Sequence, residues 1–336
     1  MDKDTFLIMA LAFMCLIGCK QKGISQSHDL GAAPSEQEES VRTENSERLA
    51  DWFPEKDSVN HAFVLVAERL WMLGRENDNT NIYDYDYQMQ WQQRCEESLM
   101  HCFDSIHPNS KLSRYEKADS MVNVITRFFA EDADDSTMGM IINFDLENSF
   151  LMYKIVAMSK EILKYEKSFD KEIRKWNVLH QRMDDFCCGI VNLDWFGGSG
   201  AGPVSLATRN AICNDRIVDL QNIIDYYSDD TVASSWSVES AMSHFQKALE
   251  ETAGKIHSSK ETDMFDDKER QDAYDSLYHK VLNTRPLLME TAKEWIETRK
   301  GILTPKSDRQ HESSESMTSA MLERMAKTIE ESLSEE

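Results

Sequence analysis

Turn-forming residues are scarce: the 336-residue chain carries 12 glycines and 6 prolines. No segment alternates apolar and polar side chains at the two-residue period of a half-buried strand, so a sheet-based fold is excluded. Long apolar runs are missing too. A permanent membrane span needs about 20 apolar residues, and the stretch from Phe6 to Ile17 falls short of that. Positive charge is in short supply, with 37 Lys and Arg against 60 Asp and Glu and a formal net charge of −23. A surface this acidic repels nucleic acid and anionic lipid and draws basic proteins, or it simply keeps the chain solvated.

Catalytic signatures are absent as well. No Gly-Lys-Ser or Gly-Lys-Thr follows the glycine cluster at 197–202 and no strand pattern precedes it, so it is not a phosphate loop. Gly197-Gly198-Ser199-Gly200-Ala201 lacks the final glycine of a nucleophile elbow. There is no His-Glu-x-x-His. Cys95, His101, Cys102 and His107 come close in sequence, but not at finger spacing, and residues 95 and 102 stand about 10 Å apart along a helix. Sixty acidic residues guarantee chance carboxylate pairs, so no hydrolase dyad can be read. The sequence therefore predicts no catalytic residue, no cofactor and no metal.

What is present begins at the N-terminus. The apolar stretch breaks at Gly18-Cys19 and has the length of a signal-peptide core, with Lys3 flanked by Asp2 and Asp4 before it. Leu16-Ile17-Gly18-Cys19 resembles the lipobox of bacterial lipoproteins. That resemblance implies cleavage before Cys19 and lipidation of its thiol, with membrane attachment through the N-terminal lipid alone. Two or three acyl chains anchor far better than one. Residues 1–18 are then the signal peptide and 19–50 the lipidated cysteine and a tether. The tether is rich in Ser, Glu, Gln and Gly and cannot bury enough surface to order itself. A flexible chain of that length reaches roughly 30 Å.

Beyond the tether, apolar residues recur at helical spacing. Phe169, Ile173, Trp176, Leu179, Met183, Cys187 and Ile190 draw one stripe, and Leu206, Cys213, Ile217, Leu220, Ile224 and Tyr227 draw another. Further helices are predicted over 58–75, 82–106, 111–131, 137–165, 238–257, 266–283 and 286–300. Pro286 is expected to start the last of these. Residues 304–315 read as a loop before a final helix carrying Met317, Met321, Met325, Ile329 and Leu333. The expected fold is all-α: an antiparallel helical bundle or hairpin array. Its parts are N-terminal helices over 51–110, a helical unit over 111–230 and a second one over 231–336.

Between the two best stripes lies Trp195-Phe196-Gly197-Gly198-Ser199-Gly200-Ala201-Gly202-Pro203. Four glycines in six residues permit a sharp reversal, which makes this the tip of an αα-hairpin. Trp176, Cys187, the Gly-Gly-Ser turn with Pro203, and a following helix carrying Arg209, Cys213, Arg216 and Leu220 together resemble an LprI-like lysozyme-inhibitor domain. The resemblance covers about 50 residues, and 110 to 120 with the helices from 111 onward. It implies a secreted or lipid-anchored helical protein. Trp295-Ile296-Glu297-Thr298-Arg299, followed by the helix with Arg324, reads as a degenerate second copy or as an unrelated hairpin.

Beyond Cys15 and Cys19, five cysteines remain: Cys95, Cys102, Cys187, Cys188 and Cys213. Cys187 stands 12 residues before Ser199 and Cys213 stands 14 after it, at similar depth on facing stripes. They are expected either to form a disulfide worth around 3 kcal/mol or to pack as two buried thiols. Tyr83, Tyr87 and Trp91 form an aromatic ladder with Asp84 and Asp86 interleaved. It reads as a sugar platform or as a helix burying one face.

Two functional readings follow. The first is a binding module of the cell envelope, facing the periplasm or the surface, that captures a basic protein such as a lysozyme-type muramidase. Gly198, Ser199 and Gly200 are then the partner-binding residues, unless the glycines merely turn the chain. The second is a helical scaffold lipoprotein with no inhibitory role.

Overall fold

The three- and four-residue spacing of apolar side chains becomes a set of buried helix faces. The computed structural model describes residues 83–122, 137–227, 237–259, 268–303 and 308–333, apart from 115, 119 and 197. All of them belong to a unit spanning 49–336. Of the described residues 89% are helical and none lies in a strand, so the chain is all-α. Seven long helices follow in order: α1 (Tyr85–Ile106), α2 (Thr137–Tyr165), α3 (Phe169–Asp194), α4 (Ala201–Tyr227), α5 (Val238–Ser259), α6 (Lys268–Ile302) and α7 (Asp308–Glu331). A short helical stretch lies between 114 and 122. The predicted helix over 58–75 and Cys19 lie outside the described residues.

Pairing of named residues gives the direction of each helix. Gly189 meets Val281, Phe196 meets Tyr274 and Trp176 meets Trp295, so α3 and α6 run antiparallel. Cys188 meets Ser205 and Asp184 meets Arg209, so α3 and α4 form the expected antiparallel hairpin. Between α2 and α4 the order is different: Ile141 with Gly202, Asn148 with Asn210, Tyr165 with Tyr227. These two helices run parallel, as the first and third members of an antiparallel series must. The two turns at 166–168 and 195–200 make α2, α3 and α4 an up-down-up series, and the first and third members pack side by side. Helix α7 packs along α5 and against α4.

Close approach of α3 and α6 depends on Gly189. A Cβ there would stand 2.5 Å from Val281 Cγ2, well inside van der Waals contact. The core around this crossing contains Trp176, Met183, Phe186, Leu288, Trp295 and Met325, all nearly inaccessible.

Three expectations need correction. Pro286 does not start a helix; it lies inside the continuous α6. Its ring removes one backbone donor, yet Val281, Thr284 and Leu288 on both sides are buried in the same core, and packing carries the helix through. Thr284 also returns its hydroxyl to the Lys280 carbonyl at 3.0 Å. Secondly, α7 begins at Asp308, so most of 304–315 is helix rather than loop. Its hydroxyl residues read as loop-like because they compete for the backbone, but Thr318 satisfies its own group on the Ser314 carbonyl at 3.0 Å. Ser314, Thr318 and Ser319 are then buried without orphaned hydroxyls.

The third correction concerns the disulfide. Cys187 and Cys213 are both free thiols. Cys187 belongs to the α3–α6 core, whereas the Cys213 sulfur is 3.8 Å from Met152 Sδ of α2 and 3.7 Å from His180 Nε2. The two lie at similar depth but serve different interfaces.

Candidate functional site

A second, mostly polar row runs along α3 and shares only Trp176 with the hydrophobic stripe. Glu172, Trp176, His180, Asp184 and Cys188 recur every four residues, each one turn above the last, in a row that winds slowly round the helix. Helix α4 answers with Ser205, Arg209, Cys213 and Arg216 in descending register. The outer pairing is Cys188 with the Ser205 carbonyl at 3.4 Å, followed by Asp184 with Arg209 at 2.8 Å. Deeper lie His180 with Cys213 and Glu172 with Arg216. These pairs lay a polar line along the hairpin seam.

At its inner end is a charge-balanced cluster. Arg216 donates to both oxygens of Glu172 at 2.9 and 2.5 Å and to Asp219 at 2.6 Å. Arg299 of α6 donates to both oxygens of Asp219 at 2.7 and 2.5 Å. Both arginines are fully buried. Two guanidiniums and two carboxylates cancel in net charge, the condition under which buried ions persist. Burial pushes the Asp219 carboxyl up, but Arg299 and Arg216 together hold it below its ordinary value. The Arg216 guanidinium lies over Trp176 at 4.6 Å and that of Arg299 over Trp295 at 5.0 Å. The two indoles meet edge to face at 5.8 Å.

The outer end is partly exposed. Tyr83 donates to Asp184 at 2.8 Å, and its ring stands edge-on to His180 at 5.1 Å. The Cys188 thiol also donates to Asp184, at 3.0 Å. Burial pushes the Asp184 carboxyl up, yet Arg209 outweighs it and the group ionises below its usual range. Burial brings His180 down to about 4 and the Cys213 thiol up to about 12. Near neutral pH that pair is a neutral imidazole beside an intact thiol, not an activated nucleophile.

The hairpin tip differs from what its glycines suggest. Neither Gly198 nor Gly200 has a left-handed backbone conformation. What Gly200 supplies is space: a Cβ there would stand 2.5 Å from two carbons of the Trp195 indole. Trp195 folds back over Gly200 and keeps 41% of its surface exposed, beside exposed Ser199 and Gly198. The Gly198 amide closes the turn by donating to the Trp195 carbonyl at 2.7 Å. Below it, Phe196 packs on Tyr274 at 5.2 Å.

Of the partner-binding residues predicted from sequence, Gly198 and Ser199 face solvent, and Gly200 is covered by its own Trp195. Sequence reasoning missed Trp195 as the exposed side chain; an aromatic just outside the last stripe position was the available signal. The aromatic ladder of α1 turns inward, with Trp91 buried and Asp84 spent as the N-cap that accepts from Tyr87 N at 2.8 Å. His101 is exposed while Cys95 and Cys102 are buried, so that group does not converge. Compared with models of known families, with curated proteins and with solved structures, the chain matches none.

Proposed function

We propose that this chain is an envelope lipoprotein, anchored through Cys19, whose helical unit is a non-catalytic binding module for a basic protein. A lysozyme-type muramidase is the target that the resemblance over Trp176 to Tyr227 suggests. The observation that carries the reading is the tip: an indole with 41% of its surface exposed, held in place by Gly200 beside the Ser199 hydroxyl. An ordered, amphipathic aromatic loses little entropy on docking, which is why tryptophan is enriched among binding hot spots. The hairpin below it is fixed by the polar seam, so the tip is presented rather than searching. A muramidase cleft takes uncharged hydrogen-bonding groups between two carboxylates, and a serine hydroxyl on a narrow turn suits that groove.

The formal charge of −23 supplies the long-range part. It raises the encounter rate with a basic partner and makes affinity fall with ionic strength. The test is binding of the full-length chain, in detergent, to a lysozyme-type muramidase at several salt concentrations. Saturable binding that weakens steeply with salt is expected. No binding at micromolar concentration in low salt removes the reading.

A further inference from the structure

We propose that Cys213, Met152 and His180 form a binding site for a soft monovalent metal ion, with Cu(I) as the ion. The three side chains come from α4, α2 and α3, so no sequence spacing announces them, and the sequence reading had predicted no metal. Their geometry does. The Cys213 sulfur stands 3.8 Å from the Met152 sulfur and 3.7 Å from His180 Nε2. Bonds of about 2.3 Å to sulfur and about 2.0 Å to nitrogen, spread at trigonal angles, separate two sulfurs by about 4.0 Å and a sulfur from a nitrogen by about 3.7 Å. The Cys213 sulfur therefore already lies at ligand-to-ligand distance from both partners.

Ligand chemistry selects the ion. Thiolate and thioether favour Cu(I), and imidazole joins them readily. Charge selects it again, because the place is almost sealed: Cys213 is 0% exposed, His180 2% and Met152 7%. Binding replaces the thiol proton by the metal: Cys–SH and Cu(I) give Cys–S–Cu and a released proton, with no change of oxidation state. One thiolate and one Cu(I) make a neutral unit, which burial tolerates. A divalent ion with the same ligands leaves a net positive charge in the core and lacks a fourth donor. Asn148 Nδ2, 3.6 Å from the Cys213 sulfur, is placed to support a thiolate from the second layer. Tyr83, half-buried, touches both ends: its ring is edge-on to His180 and its hydroxyl donates to Asp184 of the Asp184–Arg209 pair.

The experiment is an anaerobic titration of reduced full-length protein with Cu(I) against bicinchoninate as a coloured competitor. One ion per chain withheld from the competitor is expected, with a copper-edge X-ray absorption spectrum showing two sulfurs and one nitrogen. Cys213→Ser should abolish retention, and Met152→Leu should weaken it at least tenfold. Met152→Leu conserves volume and so keeps the fold, which circular dichroism verifies. Cys188→Ser should leave retention unchanged. The site is refuted if no Cu(I) is withheld from the competitor. It is equally refuted if Met152→Leu binds as tightly as the parent, or if Cys188→Ser rather than Cys213→Ser abolishes retention.

Discussion

The Trp295 indole N–H donates to Glu172 Oε1 at 2.7 Å across 123 residues of sequence. This bond brings the end of α6 onto the start of α3 and adds a third donor side chain to the cluster. Because Glu172 also receives Arg216, the α3–α4 hairpin and α6 share one buried anion. Removing one partner here should cost far more than a surface ion pair. Arg299→Leu leaves Asp219 facing Arg216 alone, and the expected loss is about 3–5 kcal/mol. Urea unfolding of parent and variant measures it. A loss under 1 kcal/mol means that the cluster does not hold α6 to the hairpin.

Acid sensitivity follows from His180. Its folded-state pKa is depressed to about 4 by burial, against an ordinary value of 6.5. Above pH 6.5 both folded and unfolded imidazoles are neutral and the contribution to stability is complete. As pH falls from 6.5 towards 4 the unfolded chain takes up a proton that the folded one refuses, so stability declines. The contribution at stake is about 3 kcal/mol. Urea midpoints of the metal-free protein between pH 7 and 4 should show the decline, and His180→Gln should flatten it.

Gly189→Ala sets helix propensity against packing. Alanine is the better helix former by about 1 kcal/mol. The new methyl, however, would meet Val281 Cγ2 at 2.5 Å, and overpacking of a stiff β-branched neighbour typically costs about 1–3 kcal/mol. Net destabilisation is expected; a more stable variant contradicts the tight α3–α6 crossing.

Much of the architecture was readable because local signals agreed with the fold. The bounds of α2 match its sequence range, and the α3 stripe from Phe169 to Ile190 is buried at each position. Reading failed where a residue's local preference was overruled by distant packing, as at Pro286 and in the serine-rich start of α7. It failed differently along Glu172, His180 and Asp184. Polar side chains at helical spacing look like a solvated face, and only the facing arginines of α4 and α6 make them interior. From sequence, Trp295 and Arg299 read as part of a degenerate second copy or of an unrelated hairpin. Their position opposite Trp176 and Arg216 is a tertiary fact that no spacing holds.

Thiol chemistry checks the placement of the cysteines. Cys187 and Cys213 should both resist alkylation in the native protein, being fully buried, and both should react fully in denaturant without reductant. Peptide mapping by mass spectrometry distinguishes this from a Cys187–Cys213 bridge, which would leave both unlabelled until reduced.

The proposed binding role turns on Trp195 and the glycine beneath it. The decisive measurement is inhibition of a lysozyme-type muramidase by the full-length chain, compared with Trp195→Ala and Gly200→Val. Gly200→Val adds a side chain where the indole now lies, and displaces it without touching the core. Loss of a central aromatic anchor typically costs about 2 kcal/mol, or roughly thirtyfold in affinity. The account predicts inhibition by the parent at low salt and a drop of about that size for both variants, with their melting behaviour unchanged. Inhibition by the parent that both variants retain in full would contradict a tip-centred site, and no inhibition by the parent at micromolar concentration would contradict an inhibitory role.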